Sequence, residues 1–265
     1  MEPGLLRDGL TLVVGLITGV LSGAFGVGGA IISTPGIRLL GVGPLVALGT
    51  TLPAILPSAL SGGLRYQAEE LIDWRAVTLT VPSGLVASVG GALLSGLVPG
   101  EGHLLQIMTA ALLGFSAWRT LVERRSPASP GEDRPPGSGR GRSARLAGVG
   151  LAAGGLSGLL GLGGGLILVP GLNQLGDLSL RSSVATSLVC AGAFAVPGAI
   201  THGLLGNIDW RVALLLALTV VPGARLGAAA SLRLGDRGLA TAVAVFLGVV
   251  AIVYAGGELS ALAAD

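Results

Sequence analysis

The chain has 265 residues, 51% of them hydrophobic and only 11% charged, with a mean hydropathy of +0.81. A soluble domain carries about a quarter charged residues, so water is excluded as the main solvent. The net charge is +2 and no basic stripe is interleaved with aromatics, which excludes a nucleic-acid partner. Cys190 is the only cysteine, so an intramolecular disulfide is excluded too.

In chain order, Arg7 and Asp8 precede the first apolar run without a small-residue cleavage site, and the N-terminus is read as retained. Leu10 to Phe25 and Ala30 to Leu40 hold 16 and 11 residues. Crossing a bilayer as helix takes about 20 apolar residues, so this pair predicts two short helices meeting at a glycine loop near mid-membrane. Longer apolar stretches follow at Val46 to Leu64, Ala76 to Val98 and Leu104 to Val122. Residues 123–145 are rich in Pro, Gly, Ser and charge, a composition that cannot bury a core and predicts a disordered linker. Its arginines place it in the cytoplasm by the positive-inside rule. Beyond it a second short pair precedes Val184 to Ile200, Val212 to Leu232 and Leu239 to Ala255.

The two halves match each other. Ser22 to Gly36 aligns with Ser157 to Gly171 at an offset of 135, with eight of fifteen positions identical. After one added residue, Gly49-Thr-Thr-Leu52 meets Ala185-Thr-Ser-Leu188, and Ile72-Asp-Trp-Arg75 meets Ile208-Asp-Trp-Arg211 without a mismatch. Val81-Pro82 matches Val221-Pro222 after a further shift of about one helical turn. The organisation read from this is a first transmembrane repeat at 1–122, a disordered cytoplasmic linker at 123–145 and a second repeat at 146–265. The fold class is an all-α polytopic membrane protein of two homologous helical repeats, each a broken or re-entrant pair followed by three full spans. An odd number of crossings per half makes the repeats inverted. Counting arginines favours that over a parallel arrangement by one residue, twelve inside against eleven.

Two blocks carry the chemistry. Gly26-Val-Gly28-Gly29-Ala30 with Pro35 precedes Ala47-Leu-Gly49-Thr50-Thr51, and Gly161-Leu-Gly163-Gly164-Gly165 with Pro170 precedes Ala185-Thr186-Ser187. A helix starting at such glycines presents unpaired N–H groups and the positive end of its dipole, with no side chain to keep an oxyanion away. The same glycines also suit tight helix crossings, which is the ordinary role of most of the 47 glycines in this chain. A dinucleotide fingerprint would need a strand before it and a βαβ unit around it, and neither is present.

The duplicated Gly-hydrophobic-Gly-Gly block with its following Pro, and the Ala-x-Gly-Thr-Ser-like block after it, resemble the TauE/SafE sulfite exporter family, also called TSUP transporters. The resemblance covers nearly the whole chain outside the linker, with mild departures at Ala30 and Thr51. It implies a secondary transporter for sulfite, thiosulfate, an organosulfonate or a similar anion in the cytoplasmic (inner) membrane. It leaves the substrate and the direction of transport open.

The residues that follow as anion-binding candidates are Gly26, Gly28, Gly29, Thr50 and Thr51 in the first half, and Gly161, Gly163, Gly164, Gly165, Thr186 and Ser187 in the second. The hydroxyls could donate to a sulfo group or bond back to their own helix carbonyls. Arg225 joins the set as the charge well inside a span, although an arginine there also snorkels to an interface. Arg65 and Tyr66, aligned with Thr201 and His202, read as interfacial anchors, and Asp73 and Asp209 as N-caps. The implied partners are a small anionic substrate and the lipid bilayer, with homo-oligomerisation left open. No metal or cofactor is implied, since no cluster of His, Cys or carboxylates exists. The rival from another class is an intramembrane serine protease of rhomboid type, because Gly155-Leu-Ser157-Gly158 is followed by His202 on a later span. Against it, Ser22 holds the matching place in the first half with Tyr66 opposite, so the serine repeats without its base.

Overall fold

The computed structural model describes residues 4–95, 111, 114–115, 117–118, 140–160 and 164–262. All regular structure among them is helical. The elements are α1 (Leu5–Phe25), α2 (Ala30–Leu39), α3 (Pro44–Gln67), α4 (Trp74–Ser95), α5 (Arg140–Leu160), α6 (Gly165–Gln174), α7 (Leu180–Leu204), α8 (Trp210–Arg233) and α9 (Asp236–Leu262). Among the described residues, five helices are long and apolar enough to cross a membrane: α1, α3, α7, α8 and α9.

α1 is longer than the sequence suggested. It starts at Leu5 and so takes Arg7 and Asp8 into its first turns. Both charges are compensated there, Arg7 lying 3.7 Å from Asp209 and Asp8 pairing with Arg211, and Asp8 also suits the positive end of the helix. α1 therefore reaches span length by itself at about 30 Å, while α2 and α6 are ten residues each and turn back. Gly29 packs on Thr18 and Gly36 on Val14, so α2 runs antiparallel to α1. Gly171 packs on Val149, and α6 returns along α5 in the same way. α5 also starts early, at Arg140, inside the stretch with linker composition. Arg142 and Arg145 anchor that start through ion pairs of 2.8 Å to Asp73 and 2.7 Å to Asp177.

Three helix pairs show how the bundle packs. α1 and α8 lie parallel, with Gly15, Gly19 and Gly23 of α1 facing Leu216, Val220 and Ala224 of α8 in turn. α4 and α5 are parallel in the same manner, Gly150 against Thr80 and Gly154 against Gly84. α3 and α7 cross antiparallel: Gly62 meets Leu188, Gly192 meets Ala59, and Gly198 meets Leu52. In these contacts Thr80 takes the place of Leu216 and Gly84 that of Val220, the same offset as Asp73 to Asp209. Val221-Pro222 thus sits one turn further along α8 than Val81-Pro82 does along α4, and that sequence match is not a packing equivalence.

The ends of the molecule are tied across the halves. The Asp209 backbone N–H donates to Thr50 Oγ1 at 2.9 Å, and the Asp73 N–H donates to Thr186 Oγ1 at 3.1 Å. Asp209 caps α8 by accepting from the Val212 N–H, and Asp73 accepts from the Ala76 N–H at the start of α4. Trp74 and Trp210, which begin those helices, are exposed, as residues at a membrane boundary are.

Small residues are what allow the parallel pairs, because helices in lipid associate by close packing without a hydrophobic drive. A side chain on Gly154 would run into the backbone of Gly84, which cannot move aside, whereas Gly148 on the same helix faces open space. Gly154→Val is expected to lower stability in detergent by about 1–3 kcal/mol, read as a drop in thermal midpoint. Gly148→Val should leave the midpoint where it was.

Candidate functional site

The turn between α1 and α2 can be built only by glycine at its key points. Gly26 ends α1 with φ +68° and Gly28 follows with φ +67°, a left-handed conformation that other residues enter at a cost. Gly29 then caps α2, and no side chain bonds to the helix start. In the second half Gly164 caps α6 with φ +67°, again without a side-chain cap. Gly161 and Gly163 lie outside the described residues. The segment from Gly26 to Ala30 is buried, as are Gly164 and Gly165.

The two turns touch. The α-carbon face of Gly165 lies directly against the backbone of Val27, so closely that a Cβ at 165 would overlap the Val27 carbonyl. The start of α6 therefore meets, backbone to backbone, the turn that leads into α2, with Val27 itself only 1% exposed. Each of these two uncapped helix starts carries the positive end of a helix dipole.

Of the predicted hydroxyls, Ser187 and Thr51 reach this region and Thr50 and Thr186 do not. Ser187 Oγ donates to the Gly26 carbonyl at 2.8 Å and lies 2.9 Å from the Val184 carbonyl. Thr51 Oγ1 is 3.1 Å from Thr34 Oγ1 on α2 and bonds back to the Leu48 carbonyl. Thr50 and Thr186 instead accept the backbone ties from Asp209 and Asp73 described above. Arg225 is exposed on α8, beside exposed Val221 and Leu226, and is not among the groups around the glycine turns.

The structure adds residues that the sequence reading passed over. Thr18 is buried with its methyl group against Gly29, and its hydroxyl has no hydrogen-bond partner. Ser22 accepts from Ser58 at 3.2 Å one turn further along α1. A signal for them existed: Thr11, Thr18 and Ser22 share one face of α1 at helical spacing and are all buried. Tyr66 is likewise no interfacial anchor. It is 1% exposed, and its hydroxyl donates to the Gly23 carbonyl at 2.7 Å. Gly23 lies in the last turn of α1, where carbonyls lack helical partners, so Tyr66 completes the end of the helix that carries the first glycine turn.

A Ser157–His202 dyad is not formed. His202 Nδ1 is buried without a hydrogen-bond partner, and no bond joins it to Ser157 among the described residues. Among the described residues no group of His, Cys, Asp or Glu is arranged to hold a metal ion.

A bundle of apolar helices with two half-length helices folded into it, meeting at uncapped starts, is the architecture of a membrane transporter. Residues 11–254 match the family model "Sulfite exporter TauE/SafE", and the chain belongs to that family. It is 27% identical to a Bacillus subtilis protein named "Probable membrane transporter protein YunE" over 94% of this chain and 96% of that one. It is 30% identical to a second from the same organism, "Probable membrane transporter protein YdhB", over 83% of this chain and 88% of that one. The "Probable membrane transporter protein MamO" of Paramagnetospirillum magneticum is 27% identical over 84% of this chain but only 40% of its own length. No solved structure matches.

Two substitutions probe this framework. Tyr66→Phe leaves the Gly23 carbonyl buried without its donor and should cost about 1–3 kcal/mol of stability, measurable as a lower thermal midpoint in detergent. For Asp73, burial pushes the carboxyl pKa up, but hydrogen bonds from Ala76 N–H and Arg142, and the charge of Arg142, hold it below the usual carboxylate value. Its folded-state pKa is therefore below the unfolded value of about 3.9. The stabilisation is complete above that range and is lost as pH falls through the folded value. The thermal midpoint should fall as pH drops below the unfolded carboxylate value of about 3.9 in the parent protein, and this fall should be shallower in Asp73→Asn.

Proposed function

We propose that the protein is a secondary transporter that moves a small sulfur-containing anion, such as sulfite, thiosulfate or an organosulfonate, across the cytoplasmic membrane. The anion binds where the starts of α2 and α6 converge, at Gly26, Gly28 and Gly29 from one half and Gly161, Gly163, Gly164 and Gly165 from the other. Thr51 and Ser187 support those turns, and the Thr18 hydroxyl is free to donate. Thr50 and Thr186 act one step away, by holding each half to the other, and Arg225 is left out of the site.

The observation that carries this reading is the contact of Gly165 with Val27, which sets the uncapped start of α6 against the buried turn leading into the uncapped start of α2. Such ends favour an anion, because N–H groups and dipoles point at it, and the effect is stronger away from water. In the form described, the turns are closed on each other. Binding requires them to part, and opening toward one face and then the other gives alternating access.

The inverted relation of the halves is part of the proposal. It is supported by the antiparallel crossing of α3 and α7, by the parallel pairs α1–α8 and α4–α5, and by the reciprocal ties of Thr50 and Thr186. Arg65, Arg142, Arg145, Arg181, Arg233 and Arg237 stand toward the end marked by Asp73, and Arg7, Arg38 and Arg211 toward the end marked by Asp209. The positive-inside rule makes the Asp73 end cytoplasmic.

Reconstituted protein should pass radiolabelled sulfite, thiosulfate, taurine or sulfoacetate into liposomes, saturably and above protein-free controls. Gly28→Val forces a β-branched residue into a left-handed conformation and should remove most of that flux while the protein still purifies as a monodisperse species. Flux of none of these anions by the parent protein would refute the substrate class, and full flux in Gly28→Val would refute the site.

A further inference from the structure

A second place in the molecule is built for an anion. A cleft of about 370 Å³ opens where the end of α3, the start of α7 and the end of α8 come together, lined by Arg65, Glu69, Leu71, Arg181, Leu232 and Arg233 with Ala229 at its wall. Three arginines thus face one space with one glutamate.

Their pairing leaves cationic capacity unused. Arg65 is 2.8 Å from Glu69 on its own helix, but both side chains are more than a third exposed, 37% and 46%, so the pair is weak and readily exchanged. Arg181 is fixed in place: its Nη2 donates to the Leu234 carbonyl at 2.6 Å and its Nε lies 2.9 Å from Asp236, whose side chain is 85% exposed. Arg233 has no ion pair or hydrogen bond among the described residues. A guanidinium held by a backbone carbonyl, next to a free one, presents a planar fork of donors suited to an oxyanion.

The cleft's charges are not repeated. At the matching sequence positions of the other half, Thr201 stands for Arg65, Leu205 for Glu69 and Leu45 for Arg181. Arg65, Glu69 and Arg181 therefore have no charged counterpart in the other half. The cleft also connects to the glycine turns through α7: from Arg181 to Ser187, which holds the Gly26 carbonyl, is about 9 Å along the helix.

We propose that this cleft is an oxyanion site, taking a sulfo or phosphate group between Arg181 and Arg233. One source is the free sulfur anion, for which the cleft is the antechamber to the glycine turns; that role rests on the transport reading, whereas occupancy by an oxyanion does not. The other source is the phosphate of an anionic phospholipid, which basic clefts between helices on the cytoplasmic side also bind.

The test is equilibrium binding of thiosulfate, with inorganic phosphate as a second probe, to the full chain in neutral detergent. Arg181→Gln and Arg233→Gln should each weaken binding about tenfold or more, as loss of a charge-assisted hydrogen bond does, while Arg75→Gln, an exposed arginine at the same end, should not. Arg233→Gln removes no described contact, so its effect does not depend on whether Arg181→Gln still folds. Repeating the titration in nanodiscs of phosphatidylcholine with and without phosphatidylglycerol separates the sources. Loss of thiosulfate binding with phosphatidylglycerol present assigns the cleft to the lipid headgroup, and unchanged binding assigns it to the free anion. Equal affinity in the parent and both arginine variants overturns the proposal, as does no binding of either probe by the parent. If the arginine variants lose binding but the parent carries no flux, the cleft stands and the transport reading fails.

Discussion

Much of this structure follows from where two ten-residue helices begin. The first N–H groups of any helix lack partners within it, and lipid offers no water to supply them. α2 and α6 nonetheless start inside the bundle, at Gly29 and Gly164, with no side-chain cap. A helix start left so is tolerated only where protein surrounds it or a polar cavity adjoins it. The surroundings here are backbone: the Val27 peptide against Gly165, and the Gly26 carbonyl held by Ser187. Side chains at Gly26 or Gly165 would push these groups apart, so the absence of side chains is what keeps two positive helix ends within one small volume.

Bringing the two starts together requires the helices around them to pack at backbone distance. Glycine is placed for this at Gly15, Gly19 and Gly23 of α1, and at Gly150 and Gly154 of α5. The hydroxyl ties then set the depth of each half against the other. Thr50 and Thr186 each hold the first turn of a helix in the opposite half, and such bonds inside membrane proteins contribute about 0.6–2 kcal/mol each. Two bonds of that size hold the register firmly enough to define one arrangement, yet remain small beside the binding energy of a ligand. On the transport reading, the glycine turns part with the ties intact, by rotation of one half about them, or with release of the tie at one end only.

The spans at 46–64, 184–200, 212–232 and 239–255, the first glycine turn and the N-capping roles of Asp73 and Asp209 were legible in the sequence, because each depends on local chemistry: apolar length, left-handed backbone, a carboxylate just before a helix; the predicted span at 104–122 lies largely outside the described residues. What stayed hidden depends on partners distant in the chain. α1 begins at Leu5 because Arg7 and Asp8 meet Asp209 and Arg211, some two hundred residues away. Tyr66 reads as an amphipathic anchor until Gly23 is seen above its hydroxyl. Thr50 and Thr51 are neighbours with the same side chain, and only packing sends one to the Asp209 loop and the other to α2. Arg225 attracted notice as a charge among apolar residues, but a position on a helix does not say which face looks inward, and this one looks out.

If the halves are inverted copies, as proposed, the fold has no direction of its own, and any direction must come from what differs between its ends. The backbone ties are alike at both, as are the capping aspartates and the tryptophans beside them. Charge is not alike: Arg65, Arg181 and Arg233 line a cleft at the Asp73 end, while Arg65, Glu69 and Arg181 are matched in the other half by Thr201, Leu205 and Leu45. On the transport reading, anions are thus concentrated at the cytoplasmic mouth, the side held negative by the membrane potential. That potential alone moves each negative charge outward with about 2.3 kcal/mol per 100 mV. On that reading the arginines of the cleft raise the local concentration of anion at the inner mouth, against the depletion that a negative lipid surface produces there.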